Sequence, residues 1–386
     1  MREQRDNWGD DWGADLSPEA QLLLCCARTQ LDAARAAQIV ALSQKALDWC
    51  ALLQLALRHD LAPLVARSLE AVCPAAVPKE IRTELRQQVR ADAQRNLLLT
   101  KELIYLRTLF SRHDISVLPY KGPVLATSIY GDLVLRPFHD LDILVREEEL
   151  LPAVDLLAAC GYQIVRPPSV AQAVQNLQSL WAYQLILAHP DRQLLVELHW
   201  RIMPKYFFPA SSEQLWEERK PVALASSTVL SLAPESLLWF LCVHGAKHHW
   251  RQLSRLCDIA ELLCGYPQLD WEKIGAQAKR LGAERRLYLG LRLANLLLNA
   301  PLPKTIQAAV QTDATVNALA RQVVASIFDD TEQIPESLSF ARIAFELKTM
   351  ERMMDRARYL QHLCIKPMRL ANTYGQNLVR RERFAD

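Results

Sequence analysis

Two aspartates one residue apart stand at Asp140-Leu141-Asp142, inside the run Arg136-Pro137-Phe138-His139-Asp140-Leu141-Asp142-Ile143-Leu144-Val145. Polar and apolar residues alternate at the start of this stretch, the pattern of a half-buried strand. Side chains alternate faces along a strand, so Asp140, Asp142 and Leu144 share one side and Leu141, Ile143 and Val145 take the other. The two carboxylates then point the same way, roughly 7 Å apart along the strand. Such a pair repels itself unless a cation lies between the charges. Two acids on a rigid strand suit Mg²⁺, which takes oxygen ligands and often bridges to phosphates. A solvent-facing strand gives the same spacing by chance, so the neighbours decide between the readings.

Upstream lies Ile115-Ser116-Val117-Leu118-Pro119-Tyr120-Lys121-Gly122-Pro123-Val124-Leu125-Ala126. This reads as a short apolar strand that ends in Lys121-Gly122, with Pro123 suited to the first position of a helix. A helix that starts after a strand offers backbone N–H groups and a positive dipole end to an anion. Downstream, Leu195-Val196-Glu197-Leu198-His199-Trp200-Arg201-Ile202 alternates again, with Glu197, His199 and Arg201 on one face and Leu198, Trp200 and Ile202 on the other.

A third polar block is His244-Gly245-Ala246-Lys247-His248-His249-Trp250. Read as one continuous helix at about 100° per residue, it gathers His244, Lys247, His248, Arg251, Arg255 and Asp258 into one stripe. Ala246, Trp250, Leu253, Leu256, Cys257 and Ala260 fall opposite. The stripe is either a solvated face or a wall of a cleft that meets a base, ribose or phosphates. His244 and His248 have the i, i+4 spacing of a zinc-binding helix, but Gly245 stands where a zinc protease has Glu. A serine hydrolase elbow, Gly-x-Ser-x-Gly, is missing from the chain.

The elements that must carry these residues change character along the chain. Residues 1–16 read as a flexible leader. Ser17-Pro18 starts a helix with Ser17 as N-cap, and residues 17–110, rich in Leu, Ala, Arg and Gln at helical spacing, read as a bundle of several helices broken near 72–78. Residues 111–205 carry β-prone runs at 115–120, 139–145, 162–165, 183–188 and 194–202, with helices between the first three and a hairpin turn at His189-Pro190-Asp191-Arg192. Residues 206–386 read as helical again, punctuated by Pro234, Pro267 and Pro301.

Strand, Gly-containing turn, helix, Asp-x-Asp on the next strand and a third acid on a later strand resemble the layout of the polymerase-β-like nucleotidyltransferase superfamily. Tyr120-Lys121-Gly122, Leu135-Arg136-Pro137, Asp140–Val145, Glu197-Leu198-His199-Trp200 and the His244 block with Leu253 and Asp258 resemble more closely the bacterial family called uncharacterised nucleotidyltransferase. Leu47-Asp48-Trp49 and Leu55–Leu61 in the helical opening are similar as well. The resemblance runs from about Ser17 to about Asp258. It implies an α+β fold with a mixed sheet at its core, flanked by all-helical regions on both sides.

It also implies a reaction: transfer of a nucleoside monophosphate from a nucleoside triphosphate such as ATP to an acceptor hydroxyl, with release of pyrophosphate. Two metals, Mg²⁺ or Mn²⁺, about 3.5–4 Å apart can stabilise the attacking and leaving oxygens together. Asp140 and Asp142 would bridge both, and Glu197 would complete the site of the metal that activates the hydroxyl. Lys121 and Gly122 would meet phosphate. Arg136 would either meet phosphate or orient Asp140 or Asp142 through a bidentate pair. His244, Lys247 and His248 would complete the nucleotide contacts. The turn departs from the superfamily's Gly-Gly or Gly-Ser, because Pro123 has no N–H to give. A catalytically silent scaffold that binds a nucleotide or a protein is the alternative. The acceptor, whether protein, metabolite, sugar or RNA end, is not legible.

Composition sets bounds on these readings. The chain has 386 residues, 51% hydrophobic and 23% charged, which suits two or three globular domains with a sizeable core. Lys+Arg 45 against Asp+Glu 43 leaves a net charge of +2, too little for strong global attraction to nucleic acid or an anionic membrane. Nine cysteines without a Cys-x-x-Cys argue against a disulfide framework or zinc ribbon. With no apolar signal core and no membrane-length apolar run, a reducing cytoplasm is the expected setting and a membrane partner is not.

Overall fold

The computed structural model describes residues 16–167, 182–205, 212–329 and 340–365. The leader expected at 1–16 falls outside them apart from Leu16. Ser17 caps the first helix, Pro18–Cys26, by accepting a hydrogen bond from the Ala20 N–H at 3.2 Å, which satisfies one of the orphan donors of a helix start. Asp32 and Asp48 cap Ala33–Ser43 and Trp49–Arg58 in the same way. After Ala62–Val72 the chain breaks at Cys73–Pro78, then runs as one long helix, Lys79–Arg112.

Five strands follow: β1 (Val117–Pro119), β2 (Leu141–Val145), β3 (Gln163–Arg166), β4 (Gln184–His189) and β5 (Leu194–His199). They form one mixed sheet in the order β1-β2-β5-β4-β3, in which β2 and β5 run parallel and the other neighbours antiparallel. The turn at Pro190–Arg192 joins β4 to β5, with Gln193 left-handed. A helix, Leu150–Ala159, connects β2 to β3.

The sheet separates two cores. On one side Leu141, Ile143, Val145, Val196 and Leu198 pack against Leu99, Leu103, Leu106 and Phe110 of the long helix and Leu150, Ala153, Val154 and Leu157 of the connecting helix. The 99-103-106-110 spacing puts those four residues on one helical stripe. On the other side Leu118, Tyr120 and Leu144 join a larger core made by the N-terminal helices together with Pro234–Lys247, Ser254–Gly265 and Glu284–Leu298. No helix among the described residues is long and apolar enough to cross a membrane.

Two sequence readings need correction. Residues 206–386 are not all helical, because Lys220–Leu224 and Ser227–Ser231 form a separate antiparallel hairpin, β6 and β7. Its two-residue turn gave no signal because it uses Ala225, at φ 51°, in place of the Gly or Asn that tight hairpins favour. The block from His244 to Asp258 is not one helix. The first helix stops at Lys247. His249 and Trp250 then take φ of 53° and 54°, and a second helix begins at Ser254. The Trp250 ring folds back onto Gly245, so close that a Cβ there would sit 2.1 Å from it. Burial of that indole, 0% exposed, offsets two unfavourable backbone conformations.

Candidate active site

β2 and β5 lie side by side in register, with Asp142 opposite Glu197 and Leu144 opposite His199. In a parallel pair, residues in register point to the same face, so the acids and the histidine all face the larger helical core. Among the described residues, Asp142, Glu197 and His199 form a group with one ligand atom from each within 4.8 Å of the others. His199 Nε2 lies 3.2 Å from Asp142 Oδ1 and 3.6 Å from Glu197 Oε2. The alternation read for β5 stops at His199. Arg201 leaves the site to pair with Glu147 at 3.0 Å.

Asp140 precedes the first residue of β2 rather than sitting within it, and it is not a member of that group of three. It still feels the group. Burial, then the negative charges of Asp142 and Glu197, push its carboxyl up to about 7 against the pull of Lys121. Asp142 goes the other way: burial opposes its charge, but Lys121 and the His199 hydrogen bond hold it well below the usual carboxylate range. Three acids with one ammonium between them form an electrostatically unfinished site, which is the condition a divalent cation relieves. The carboxylate-rich donor set fits Mg²⁺ or Mn²⁺.

Lys121 follows β1, and its Nζ donates to Asp142 Oδ1 at 2.8 Å. Burial works against its charge, but Asp142, Glu197 and Asp140 together raise its pKa. Gly122 takes φ of 53° and a Cβ there would meet the Asp140 carbonyl oxygen at 3.4 Å, so the turn and the acid pair fit closely. The helix expected to start here does so, Gly122–Leu125, and runs into a wider turn, Ala126–Tyr130.

The Pro234–Lys247 helix lies over this face. Phe240 packs edge-on against Tyr120, with ring centroids 5.1 Å apart, and stacks on His244 at 5.5 Å. Lys121 Nζ lies 5.6 Å from the Phe240 ring centre. Lys247 donates to the Tyr183 hydroxyl at 2.6 Å, and Tyr183 in turn packs against His199 at 5.7 Å. Burial and then Lys121 bring Lys247 down to about 8. Burial, with Lys121 for His244 and Arg255 for His248, holds both imidazoles well below their ordinary range, so they are neutral at neutral pH. They offer hydrogen bonds rather than charge.

Arg136 does make a bidentate pair, but with Asp258, at 2.7 and 2.9 Å, and not with Asp140 or Asp142. Tyr130 donates to the same carboxylate at 2.8 Å. The loop before β2 lies against the Ser254–Gly265 helix, and Asp258 takes up the guanidinium there. Sequence reasoning placed His199 on the acidic face but gave it no role. Its two-residue step from Glu197 on a strand was the available signal. Tyr183 had none, because its place in the site follows from pairing between β4 and β5.

A mixed five-stranded sheet flanked by helices, with an acid cluster on two parallel central strands, is the architecture of an α+β nucleotidyltransferase-like fold. The chain belongs to the family described as uncharacterised nucleotidyltransferase, whose model matches residues 45–299. No curated protein matches the sequence.

Proposed function

We propose that the chain is a metal-dependent enzyme that transfers a nucleoside monophosphate from a nucleoside triphosphate, ATP among the candidates, to a hydroxyl acceptor and releases pyrophosphate. The observation that carries this reading is the register of β2 and β5, which sets Asp142 beside Glu197 with Asp140 at the strand's entrance. Asp140, Asp142 and Glu197 would hold Mg²⁺ or Mn²⁺, which supplies charge stabilisation at the transferring phosphoryl group.

The chain's own residues divide the remaining work. Lys121 and Lys247 would offer two ammonium groups to a triphosphate tail. Gly122 lets the backbone come close to that tail. His244 and His248, being neutral, suit base or ribose contacts. Glu197 or Asp140 would accept the proton of the acceptor hydroxyl. Arg136 supports the site through Asp258 rather than touching phosphate. Eight described cysteines are all free, which supports a reducing, cytoplasmic setting.

The test is incubation with each α-labelled nucleoside triphosphate and Mg²⁺ or Mn²⁺, following pyrophosphate release and label transfer. Asp142→Asn should abolish metal-dependent nucleotide binding and leave the circular dichroism unchanged; intact binding in that variant would sink the reading. Lys247→Ala should weaken triphosphate binding more than monophosphate binding, and equal losses would place Lys247 away from the phosphate tail. One observation favours a silent nucleotide-binding scaffold of the same fold: Lys121 already neutralises the best metal ligand. Metal-dependent binding without turnover across acceptor classes would decide for it.

A further inference from the structure

His199 stands two residues beyond Glu197 on β5 and faces the same side of the sheet. Its ring is 1% exposed, wedged between Tyr120 at 5.5 Å and Tyr183 at 5.7 Å. That wedge aims Nε2 at two carboxylates at once, 3.2 Å from Asp142 Oδ1 and 3.6 Å from Glu197 Oε2. Among the described residues Nδ1 is buried with no hydrogen-bond partner, so all of the ring's polar contacts are made on the acid side.

The separations carry information. Neighbouring ligand atoms around one small divalent ion, bound at about 2.1 Å, lie about 3.0 Å apart in an octahedron and about 3.4 Å apart in a tetrahedron. The two His199 contacts are close to those values, and one ligand atom from each of the three residues lies within 4.8 Å of the others.

We propose that His199 is a direct nitrogen ligand of the metal held by Asp142 and Glu197, so that the site prefers Mn²⁺ or a similar first-row ion to Mg²⁺. This rests on the metal-dependent reading above and deepens it by naming the cofactor class. Imidazole binds first-row transition ions well, whereas Mg²⁺ seeks an all-oxygen shell. Mn²⁺ accepts both donors and still serves phosphates. Lys121 would be the group that gives way: a cation held on Asp142 Oδ1 would replace the ammonium there and leave it free for a phosphate.

The experiment uses the full-length protein with Mn²⁺ alone, read by electron spin echo modulation. Bound Mn²⁺ should show coupling to a directly coordinated ¹⁴N, and growth on ¹⁵N-histidine should change that coupling, which assigns it to imidazole. His199→Gln should remove it and weaken Mn²⁺ by about tenfold while changing Mg²⁺ less. Mn²⁺ that binds without nitrogen coupling, yet is lost in Asp142→Asn, overturns this inference alone and leaves His199 as a hydrogen-bonding neighbour. Coupling that survives His199→Gln also overturns it, by assigning the nitrogen to another ring. Failure of the wild-type protein to bind Mn²⁺ overturns this inference and the metal-dependent reading together.

Discussion

On the metal-dependent reading, Lys121 and a divalent cation would compete for the same oxygen. The ammonium lies 2.8 Å from Asp142 Oδ1, in a place where Asp142 is almost wholly buried. Removing one partner of a buried pair leaves an uncompensated charge, which typically costs about 3–5 kcal/mol. Lys121→Met should therefore lower stability in metal-free buffer by roughly 3 kcal/mol. It should also tighten divalent-cation binding, because the ion no longer displaces an ammonium. Denaturant titrations with and without Mn²⁺ would measure both effects. A variant destabilised equally in the two buffers would mean that the ion does not take the position of Lys121. Triphosphate affinity should fall in the same variant, since the displaced ammonium is then missing from the phosphate side.

Helices from opposite ends of the chain meet at His59, which ends the Trp49–Arg58 helix and is 0% exposed. Its Nδ1 accepts from the Leu253 N–H at 3.1 Å, just before the Ser254–Gly265 helix. Burial, then Arg58, lowers its pKa to about 4 from an ordinary 6.5. The folded state thus binds fewer protons than the unfolded chain between those values, so stability falls as pH drops through that window. The full effect below pH 4 is roughly 3 kcal/mol, from 1.36 kcal/mol per pH unit. Acid titration of the unfolding free energy should show this contribution between about pH 6.5 and 4 as the difference in slope between the wild-type protein and His59→Gln. An unchanged slope would assign the acid sensitivity to other groups.

The N-terminal and C-terminal helical regions share one apolar core, although more than a hundred residues of sheet and loop separate them. A buried polar contact ties them: Arg28 Nε donates to Glu261 Oε1 at 2.6 Å, the Thr29 N–H donates to the same oxygen at 3.1 Å, and Arg28 also reaches the Leu298 carbonyl at 2.9 Å. Glu261→Ala would strand the Arg28 guanidinium and should cost about 3–5 kcal/mol. Because the core is continuous, the loss should appear throughout. Hydrogen exchange should show the Pro18–Cys26 and Ser254–Gly265 helices losing protection together. Loss confined to one of them would mean that the two ends open independently. Among the described residues both helical regions pack on the sheet, and the acid cluster lies under the Pro234–Lys247 helix.

Alternation along the β2 and β5 segments was enough to put Asp142, Glu197 and His199 on one side of their strands, because a strand's period is two whatever surrounds it. Ser17 as a cap, the break near Cys73–Pro78 and the turn at Pro190–Arg192 were legible for the same kind of reason, since each depends on a few adjacent residues. Parallel pairing of β2 with β5, which converts two separate patterns into one cluster, depends on segments about fifty residues apart and is decided by tertiary packing. So are the lysine on Asp142, the arginine on Asp258 and the Lys247–Tyr183 contact, each of which joins elements with no local signal for the other. The reversal at His249–Trp250 shows the limit most directly. Local spacing favoured a continuous helix, and burial of one indole against Gly245 and Gly290 outweighed it, because apolar area removed from water offsets the cost of two left-handed residues.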